Sequence, residues 1–365
     1  MILCSNPSEQ FKSYQSEIEQ AVKSVMRSNS YVLGEQVNSL EKEFAEFIGT
    51  SSAIGVANGT DAIEISLRAL NIGYGDEVIT VSHTAVATVA AIEATGAKAV
   101  LIDVEKNFYT LNPIYLKQAL SKNTKAIVVV HLYGSAADLE SIQTFCSLNK
   151  LYLIEDASQA HGAKYKGKRL GSIGDIGCFS CYPTKNLGAI GDAGLVTTNN
   201  QELAKRVRMI REYGWEGRVS MTPGRNSRLD ELQASILRIK LKYLDSDNQK
   251  RRNIAKFYYD NLSNLPIILP QIRPNVEPVY HLFVIQVERQ KMLLDFLKKL
   301  GILAGVHYPL PVHLHPAYIS NTTNSREMTV TETIVNKIVS LPIYPELSID
   351  DSSLIVNSVQ TFYKQ

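Results

Sequence analysis

The first half of the chain alternates between short apolar runs and segments with helical spacing. Strands are predicted at 52–56, 77–81, 97–103, 125–131 and 151–156. Between the first two runs, apolar residues from Asp61 to Leu70 can share one helical face. This alternation is typical of a mainly parallel, doubly wound α/β sheet. Because the chemistry of such sheets gathers at the carboxyl ends of the strands, we expect a functional site in the loops that follow them.

The pattern changes near Asn226. A charged stretch from Leu229 to about Leu262 keeps its apolar residues at helical spacing and predicts one long connecting helix. Beyond it the sequence predicts a smaller α/β region. Its predicted elements are a strand over 281–287 and helices near 289–300 and 326–339.

We therefore expect a domain boundary near residue 245. Residues 1–245 would form a large domain and residues 246–365 a small C-terminal α/β domain. The segment 7–48 predicts two amphipathic helices joined near 29–34, which belong to the large domain in this division.

The composition excludes several classes of protein. Of 365 residues, 45% are hydrophobic and 20% are charged, as in globular rather than disordered chains. The net charge of +2 provides no broad basic field for binding nucleic acid or anionic lipid. Apolar runs such as 126–130 are far shorter than the ~20 residues of a membrane span, and the first residues do not resemble a signal peptide. We expect a cytoplasmic protein.

The four cysteines favour buried thiols. They are too few for a disulfide scaffold, and only Cys178 and Cys181 form a C-x-x-C pair. A structural zinc site needs two further ligands in a recognisable spacing, and a redox pair lies near the start of a helix. The segment 177–182 instead predicts a strand that runs into a loop, so no metal site is predicted.

Two glycine-containing segments resemble phosphate-binding motifs but fail in detail. Gly162 to Arg169 ends in arginine where a P-loop needs a hydroxyl for magnesium, and it alternates like a hairpin. The glycines of 171–177 and 188–194 are spaced G-x-x-G-x-x-G, which disfavours a dinucleotide-binding fold.

A better anion site is predicted at Ala57 to Ala62. There a strand ends, Gly59 permits a tight turn, and a helix begins with free N–H groups. Helix capping by Asn58, Thr60 or Asp61 explains the same turn without a ligand. Both interpretations are open from the residues alone.

Two further segments carry candidate chemistry. The segment 151–161 delivers polar groups to one strand end: Glu155, Asp156, Gln159 and His161. A solvated loop in which Asp156 caps the next turn is an equally good interpretation. Lys185 lies in a glycine-rich loop after a strand, where a lysine with a depressed pKa forms Schiff bases. An ordinary surface lysine is the competing interpretation.

Taken together, these segments resemble the DegT/StrS family of pyridoxal-phosphate-dependent nucleotide-sugar aminotransferases, which have the aspartate-aminotransferase-like fold (fold type I). The matching motifs cover almost the whole chain: 58–61, 75–78, 131–134, 155–162, 180–188, 191–194, 226–234 and 307–309. The run Val81 to Thr88 looks most like the branch that acts on dTDP-linked 3-keto-6-deoxy sugars.

The resemblance implies roles for individual residues. Lys185 would form the Schiff base with the cofactor and later move a proton, and Asp156 would keep the ring nitrogen protonated. Gln159 would contact the region of the ring hydroxyl. The implied phosphate ligands are Gly59, Thr60 and Ser180, with Asn226 supplied by the neighbouring subunit. The active site would then be shared within a homodimer.

The chain departs from the family at Ala85, where members often carry an aromatic residue that stacks on the cofactor ring. Smaller groups or His83 would then have to cover the ring. Plausible sugar or nucleotide contacts are Tyr182, Tyr308 and His313, for which structural packing is an equally good explanation.

The implied reaction has two halves. L-glutamate would convert the cofactor to pyridoxamine phosphate, which would then aminate a keto group of a nucleotide-linked hexose, at C3 or C4. A sugar dehydratase of the same family carries histidine in place of the lysine, so Lys185 argues against it. Two further hypotheses compete with the transaminase: a non-catalytic regulatory protein that kept the fold, and a nucleotide-sugar reductase.

Overall fold

A computed structural model of the chain describes residues 1–319, 322–324 and 327–364. The helices are α1 (Pro7–Ser13), α2 (Gln15–Arg27), α3 (Glu35–Ile48), α4 (Gly59–Ala69), α5 (Val86–Ala94), α6 (Leu116–Ala119), α7 (Leu139–Asn149), α8 (Gln201–Arg211), α9 (Glu231–Leu262), α10 (Gln290–Lys299), α11 (Thr329–Ile334) and α12 (Ile349–Lys364). The strands are β1 (Ile2–Leu3), β2 (Ser52–Val56), β3 (Glu77–Val81), β4 (Lys98–Ile102), β5 (Thr124–Val130), β6 (Tyr152–Asp156), β7 (Lys164–Tyr165), β8 (Lys168–Arg169), β9 (Ile176–Ser180), β10 (Gly194–Thr198), β11 (Trp215–Glu216), β12 (Val219–Ser220), β13 (Val276–Glu277), β14 (Phe283–Gln286), β15 (Ile302–Leu303), β16 (Thr323–Asn324) and β17 (Ile338–Leu341).

A central sheet organises the large part of the chain. Its strand order is β16-β4-β3-β5-β6-β9-β10-β2. Strand β10 runs antiparallel to both of its neighbours, β9 and β2, whereas the other pairs are parallel. The predicted doubly wound α/β sheet is confirmed, and the five predicted strands lie within one residue of their expected bounds.

Alternate side chains of each strand point to opposite faces of the sheet, and helices cover both faces. In β5, Ile127 and Val129 enter one hydrophobic cluster, which includes α3 and the first half of α9. Ala126 and Val128 enter a second cluster with α4, α5 and α8. Continuous apolar runs in the sequence therefore form central strands covered by helices on each side.

The N-terminal segment contains three helices rather than the predicted two. The first helical pattern is divided at Tyr14, whose φ of −121° and ψ of 19° separate α1 from α2. Helices α2 and α3 pack against α9. The Glu231 carboxylate at the start of α9 accepts hydrogen bonds from the N–H groups of Gly34, Gln36 and Val37, which caps α3.

A third hydrophobic cluster forms the smaller region, where the end of α9 packs with the antiparallel pair β14–β17 and with α10 and α12. The N-terminal strand β1 also joins this region by pairing with β15. Residue 245 lies within α9, and the boundary there remains a prediction.

The predicted helix over 326–339 is wrong at its second half. Helix α11 ends at Ile334, and Ile338–Leu341 forms β17, because these residues are buried against β14. Its first predicted residue, 326, lies outside the described residues.

Other local predictions are confirmed. Residues 162–169 contain the hairpin of β7 and β8, and 177–182 is strand followed by loop. Cys178 and Cys181 are buried free thiols, and burial raises the pKa of both. Within the described residues, no helix combines the length and apolar character that a membrane span requires.

Candidate active site

A cavity of about 600 Å³ lies where β2, β6 and β9 end, at the carboxyl edge of the sheet. The smaller region closes its other side with the 281–282 and 307–308 segments. Most of the predicted site residues line it: Gly59, Thr60, Asp156, Gln159, Ser180, Tyr182, Lys185 and Tyr308. The topology therefore brings together residues that are up to 249 positions apart in the sequence.

The amino end of α4 forms one wall of this cavity. Asn58 caps the helix, since its side chain accepts a hydrogen bond from the N–H of Asp61 at 2.8 Å. A Cβ at Gly59 would lie 2.5 Å from the Cβ of Ser180, so only glycine permits this close approach. The first N–H groups of a helix have no partner within it, so Gly59 and Thr60 present donors to an anion. Capping and anion binding are therefore compatible here.

Asp156, at the end of β6, is buried and held by two donors. Thr88 donates its hydroxyl hydrogen to Oδ2 at 2.9 Å, and the N–H of Ser158 donates to Oδ1 at 3.2 Å. Gln159 and His161 are also buried, so the interpretation of 151–161 as a solvated loop is wrong. A buried carboxylate with its orientation fixed can serve as the partner of a cationic group.

Gln159 is held at both ends of its amide. Its Oε1 accepts a hydrogen bond from the N–H of Tyr133 at 2.7 Å, and its Nε2 donates to the hydroxyl of Tyr308 at 3.0 Å. These two contacts assign the orientation of the amide and join the loop after β6 to the smaller region.

Lys185 is half-buried in the loop after β9, where a turn joins its N–H to the carbonyl of Tyr182. Desolvation lowers the pKa of Lys185 to about 8, although the negative charge of Asp156 acts in the opposite direction. A neutral amine is therefore accessible near physiological pH, as a Schiff-base nucleophile requires. The interpretation as an ordinary surface lysine does not fit this environment.

Two polar groups of the 151–161 segment do not line the cavity. Glu155 accepts hydrogen bonds from the Nε2 of His131 and from the N–H groups of Gly171, Ile173 and Gly174. Burial alone would raise the pKa of Glu155, but these donors outweigh it and the pKa is lowered. His161 is fully buried beside the ring of Phe179. Glu155 thus anchors the turn that precedes β9.

Three other predicted site residues lie outside the cavity lining. His83 is buried with its Nε2 at 2.7 Å from the hydroxyl of Tyr133, and it is not among the residues that line the cavity. His313 is buried between Ser82, at 2.6 Å, and Glu332, at 3.2 Å. Asn226 is exposed in the single chain, on the segment that follows α8.

Sequence reasoning missed several residues that line the cavity. These are Cys4, Ser5, Ile63, Thr84, Ala87, Thr88, Val130, Ser158, Thr184, Asp192, His281, Leu282 and His307. Thr88 belongs to the run 81–88 and lies at the first turn of α5, which is the one local signal for it. His281 and His307 belong to the smaller region; His307 lies in the matching motif 307–309, whereas no local pattern indicates that His281 reaches the cavity.

This donor set fits pyridoxal 5′-phosphate. The cofactor needs an amine for its aldehyde, a carboxylate for its ring nitrogen and N–H donors for its phosphate, and the cavity presents all three on one sheet edge. Together with the doubly wound sheet, this site defines a pyridoxal-phosphate-dependent enzyme of the aspartate-aminotransferase-like class.

The chain belongs to the DegT/DnrJ/EryC1/StrS aminotransferase family, which matches residues 12–360. It is 44% identical over 350 residues to the dTDP-3-amino-3,6-dideoxy-alpha-D-galactopyranose transaminase of Aneurinibacillus thermoaerophilus, covering 96% of each chain. It is 41% identical over 352 residues to the dTDP-3-amino-3,4,6-trideoxy-alpha-D-glucose transaminase of Streptomyces venezuelae, covering 96% of this chain and 93% of the relative.

The fold is also similar to that of a solved structure, S. venezuelae DesV in complex with a ketimine intermediate. The TM-score is 0.97 at 39% identity, and the similarity covers 100% of this chain and 99% of that one. The resemblance inferred from the motifs is therefore confirmed. The protein is a sugar aminotransferase that depends on pyridoxal phosphate.

Proposed function

We propose that this enzyme transfers the amino group of L-glutamate to the C3 keto group of a dTDP-linked 3-keto-6-deoxyhexose. The observation that carries the transfer chemistry is that the Lys185 amine and the oriented carboxylate of Asp156 line the same cavity. The sugar class is supported by the two relatives described above, whose names both specify a dTDP-linked 3-amino sugar.

Lys185 is proposed as the residue that binds the cofactor and moves the proton. When bound, the cofactor withdraws electrons from the carbon whose proton is removed. The Lys185 amine, with its pKa lowered to about 8, would take that proton near neutral pH and deliver it to the cofactor's C4′, on the other side of the nitrogen that links cofactor and substrate. A fully solvated lysine would stay protonated and could not act as this base.

Asp156 and Gln159 are proposed to orient the cofactor ring. Asp156 would pair with the ring nitrogen, and the hydroxyl of Thr88 holds the carboxylate in a fixed orientation. Gln159 presents its amide to the ring hydroxyl region while Tyr133 and Tyr308 fix its plane. Ala85 lines the cavity and leaves one ring face without an aromatic cover from that position.

The phosphate is proposed to lie at the start of α4, held by Gly59, Thr60 and the hydroxyl of Ser180. Asn226 is exposed in one subunit, and we propose that it reaches the phosphate of a neighbouring subunit in a homodimer. The substrate contacts proposed within the same chain are Tyr182, which is half-exposed, and Tyr308. His83 and His313 do not line the cavity, so we do not include them among these contacts.

The absorbance of the bound cofactor tests both halves of the reaction. The purified protein is loaded with pyridoxal phosphate, and its visible band is followed after L-glutamate is added. We expect the band to be replaced by that of the pyridoxamine form, and Lys185→Ala to lose turnover. If glutamate leaves the band unchanged, the proposed donor is wrong.

A panel of nucleotide-linked sugars then tests the acceptor. The pyridoxamine form is mixed with dTDP-linked 3-keto and 4-keto 6-deoxyhexoses, and return of the visible band identifies the substrate. Recovery with the 3-keto sugar is expected. Recovery with the 4-keto sugar alone would contradict C3 amination, and release of a deoxygenated sugar would favour a dehydratase. We place this activity in the cytoplasm.

A further inference from the structure

Tyr133 connects the two walls of the cavity through its main chain. It follows β5 with φ +61°, a left-handed conformation that is uncommon for residues with a side chain. Its N–H donates to Oε1 of Gln159 at 2.7 Å, and its carbonyl accepts from the N–H of Leu282 at 3.4 Å. One residue thus contacts both the loop after β6 and the smaller region.

The side chain of Tyr133 makes a second connection. Its hydroxyl donates to the carbonyl oxygen of His307, one residue before Tyr308. The hydroxyl of Tyr308 in turn accepts from Nε2 of Gln159 at 3.0 Å. These contacts form a closed ring that passes from Gln159 through Tyr133 and the 307–308 segment back to Gln159.

His83 is the hydrogen-bond donor to this hydroxyl. A carbonyl only accepts, so the single hydrogen of the Tyr133 hydroxyl is used on His307. Nε2 of His83, at 2.7 Å from the same oxygen, must therefore be the donor. Burial lowers the pKa of His83 to about 4, although Asp103 acts in the opposite direction, so the ring is neutral near pH 7. Its Nδ1 then carries no hydrogen and is an acceptor without a hydrogen-bond partner among the described residues.

We propose that Tyr133 is a positioning residue for transamination, which holds Gln159 through its N–H and the 307–308 segment through its hydroxyl, while His83 fixes the hydroxyl. This inference rests on the proposed placement of the cofactor ring at Gln159 and of substrate at Tyr308. It gives His83 a role even though His83 does not line the cavity. The hydroxyl acts on the reaction only by placing Tyr308 and, through it, the amide of Gln159.

Tyr133→Phe removes the hydroxyl and leaves the N–H bond to Gln159. We expect kcat/KM for the keto sugar to fall about tenfold, the effect of losing one well-placed hydrogen bond. The matched control is Tyr109→Phe. Tyr109 is similarly buried, and the centre of its aromatic ring lies 5.5 Å from that of Tyr133. Its hydroxyl accepts a hydrogen bond from Gln286 at 2.9 Å and makes none of the contacts that join Gln159, Tyr133 and the 307–308 segment. This control is expected to change kcat/KM by about twofold or less.

A double-mutant cycle separates positioning from general stability. In a Tyr308→Phe background, Tyr133→Phe is expected to cost only about twofold, because the residue through which it acts no longer bonds to Gln159. Tyr109→Phe should combine independently with both. Independent, multiplicative losses from Tyr133→Phe and Tyr308→Phe would overturn the proposal, as would equal losses from Tyr133→Phe and Tyr109→Phe.

A measurement on the cofactor-loaded protein without substrate tests the positioning role separately from the proposed function. The same variants are loaded with pyridoxal phosphate, and the visible absorbance is titrated with pH. Displacement of Gln159 is expected to shift the midpoint by about one pH unit in Tyr133→Phe and to leave it in place in Tyr109→Phe. If glutamate does not react but this coupled shift is found, the donor is wrong and the positioning role stands. If the midpoint does not move, the positioning role is wrong whatever the donor.

His83 variants test the donor to the hydroxyl. His83→Leu cannot donate, and its loss of kcat/KM should disappear in the Tyr133→Phe background. His83→Gln retains an N–H donor and should recover part of the activity. If His83→Leu matches the unchanged enzyme, or if its loss persists unchanged in the Tyr133→Phe background, His83 has no part in positioning.

Discussion

Thr88 donates its hydroxyl hydrogen to Oδ2 of Asp156 across 2.9 Å, which joins the first turn of α5 to the end of β6. The same hydroxyl lies 3.1 Å from that of Thr84, and the other carboxylate oxygen accepts from the N–H of Ser158. The carboxylate proposed to face the cofactor ring nitrogen therefore cannot turn without breaking a buried hydrogen bond.

Thr88→Val tests this constraint, because it replaces the hydroxyl with a methyl of similar size. Hydrogen bonds to charged groups contribute about 1.5–3 kcal/mol, so we expect kcat to fall by roughly tenfold or more. Thr88→Ser keeps the hydroxyl and is the matched control. The measurements are kcat from steady-state kinetics and the cofactor dissociation constant, each compared between the two variants. Equal kcat in the two would mean that Asp156 does not need this donor.

The lowered pKa of Lys185 predicts how the rate at which the cofactor-free protein binds pyridoxal phosphate depends on pH. Only the neutral amine attacks the aldehyde, and desolvation lowers the pKa of Lys185 to about 8 against the opposing effect of Asp156. Below this pKa the neutral fraction falls about tenfold per pH unit, so the rate should rise with pH and level off above about 8.

Stopped-flow measurement of the visible band gives this pH profile. Lys185→Arg retains the positive charge but forms no band, and it serves as the control. A profile that levels off only near the pKa of a solvated lysine would show that Lys185 is not desolvated in the cofactor-free protein.

The sheet could be predicted from the sequence because its signals are local. Each central strand is a continuous apolar run, and the helices between them keep an apolar face. The error over 326–339 arose where an apolar run followed a short helix. Residues 338–341 fit either element by pattern, and pairing with β14 determines that they form a strand. Pairing between strands that are far apart in the sequence has no signal in the local sequence pattern.

The candidate site likewise contains residues that a local sequence signal indicated and residues that only the tertiary structure reveals. Asp156 and Gln159 lie at the end of one strand and Lys185 follows another, so the rule for parallel sheets indicated them, and the family motifs gave Ser180. Thr88 acts on Asp156 across 68 positions of sequence, and only the packing of α5 reveals it. The position of His83 was not predictable either, since a neutral buried histidine and a cavity histidine have the same local sequence.

Gly59 provides a steric test of the proposed phosphate site. A Cβ there would meet the Cβ of Ser180 at 2.5 Å and its Cα at 3.0 Å, so Gly59→Ala must move the start of α4 or the end of β9. We expect cofactor affinity to fall about tenfold or more and the melting temperature to drop, since overpacking typically costs about 1–3 kcal/mol. Titration of the visible band and thermal unfolding measure the two effects.

Ser180→Gly in the Gly59→Ala background is the matched variant for this test. It removes the nearer clash and should recover part of the stability, while affinity stays reduced because the Ser180 hydroxyl is lost. If Gly59→Ala alone binds the cofactor as tightly as the unchanged protein, the phosphate does not lie at this helix end.

The exposed position of Asn226 leads to a test of shared active sites. Its neighbour Arg225 pairs with Asp61, at 3.3 Å, and with Glu64, which ties this segment to α4 of its own subunit while Asn226 faces outward. If Asn226 reaches the phosphate of a second subunit, as proposed, Asn226→Asp would place a carboxylate beside that phosphate. Two negative charges in contact cost several kcal/mol, so we expect activity to fall about a hundredfold or more.

Mixing two inactive variants then distinguishes shared from separate sites. In a heterodimer of Lys185→Ala and Asn226→Asp subunits, one site combines the intact Lys185 of one chain with the intact Asn226 of the other. With random exchange, half of the dimers are mixed and half of their sites are intact, so roughly a quarter of the original activity should return. A mixture of Lys185→Ala with Lys185→Arg subunits should recover none. If co-purification through different affinity tags on the two subunits shows exchanged dimers and the first mixture stays inactive, Asn226 serves its own subunit and the sites are not shared.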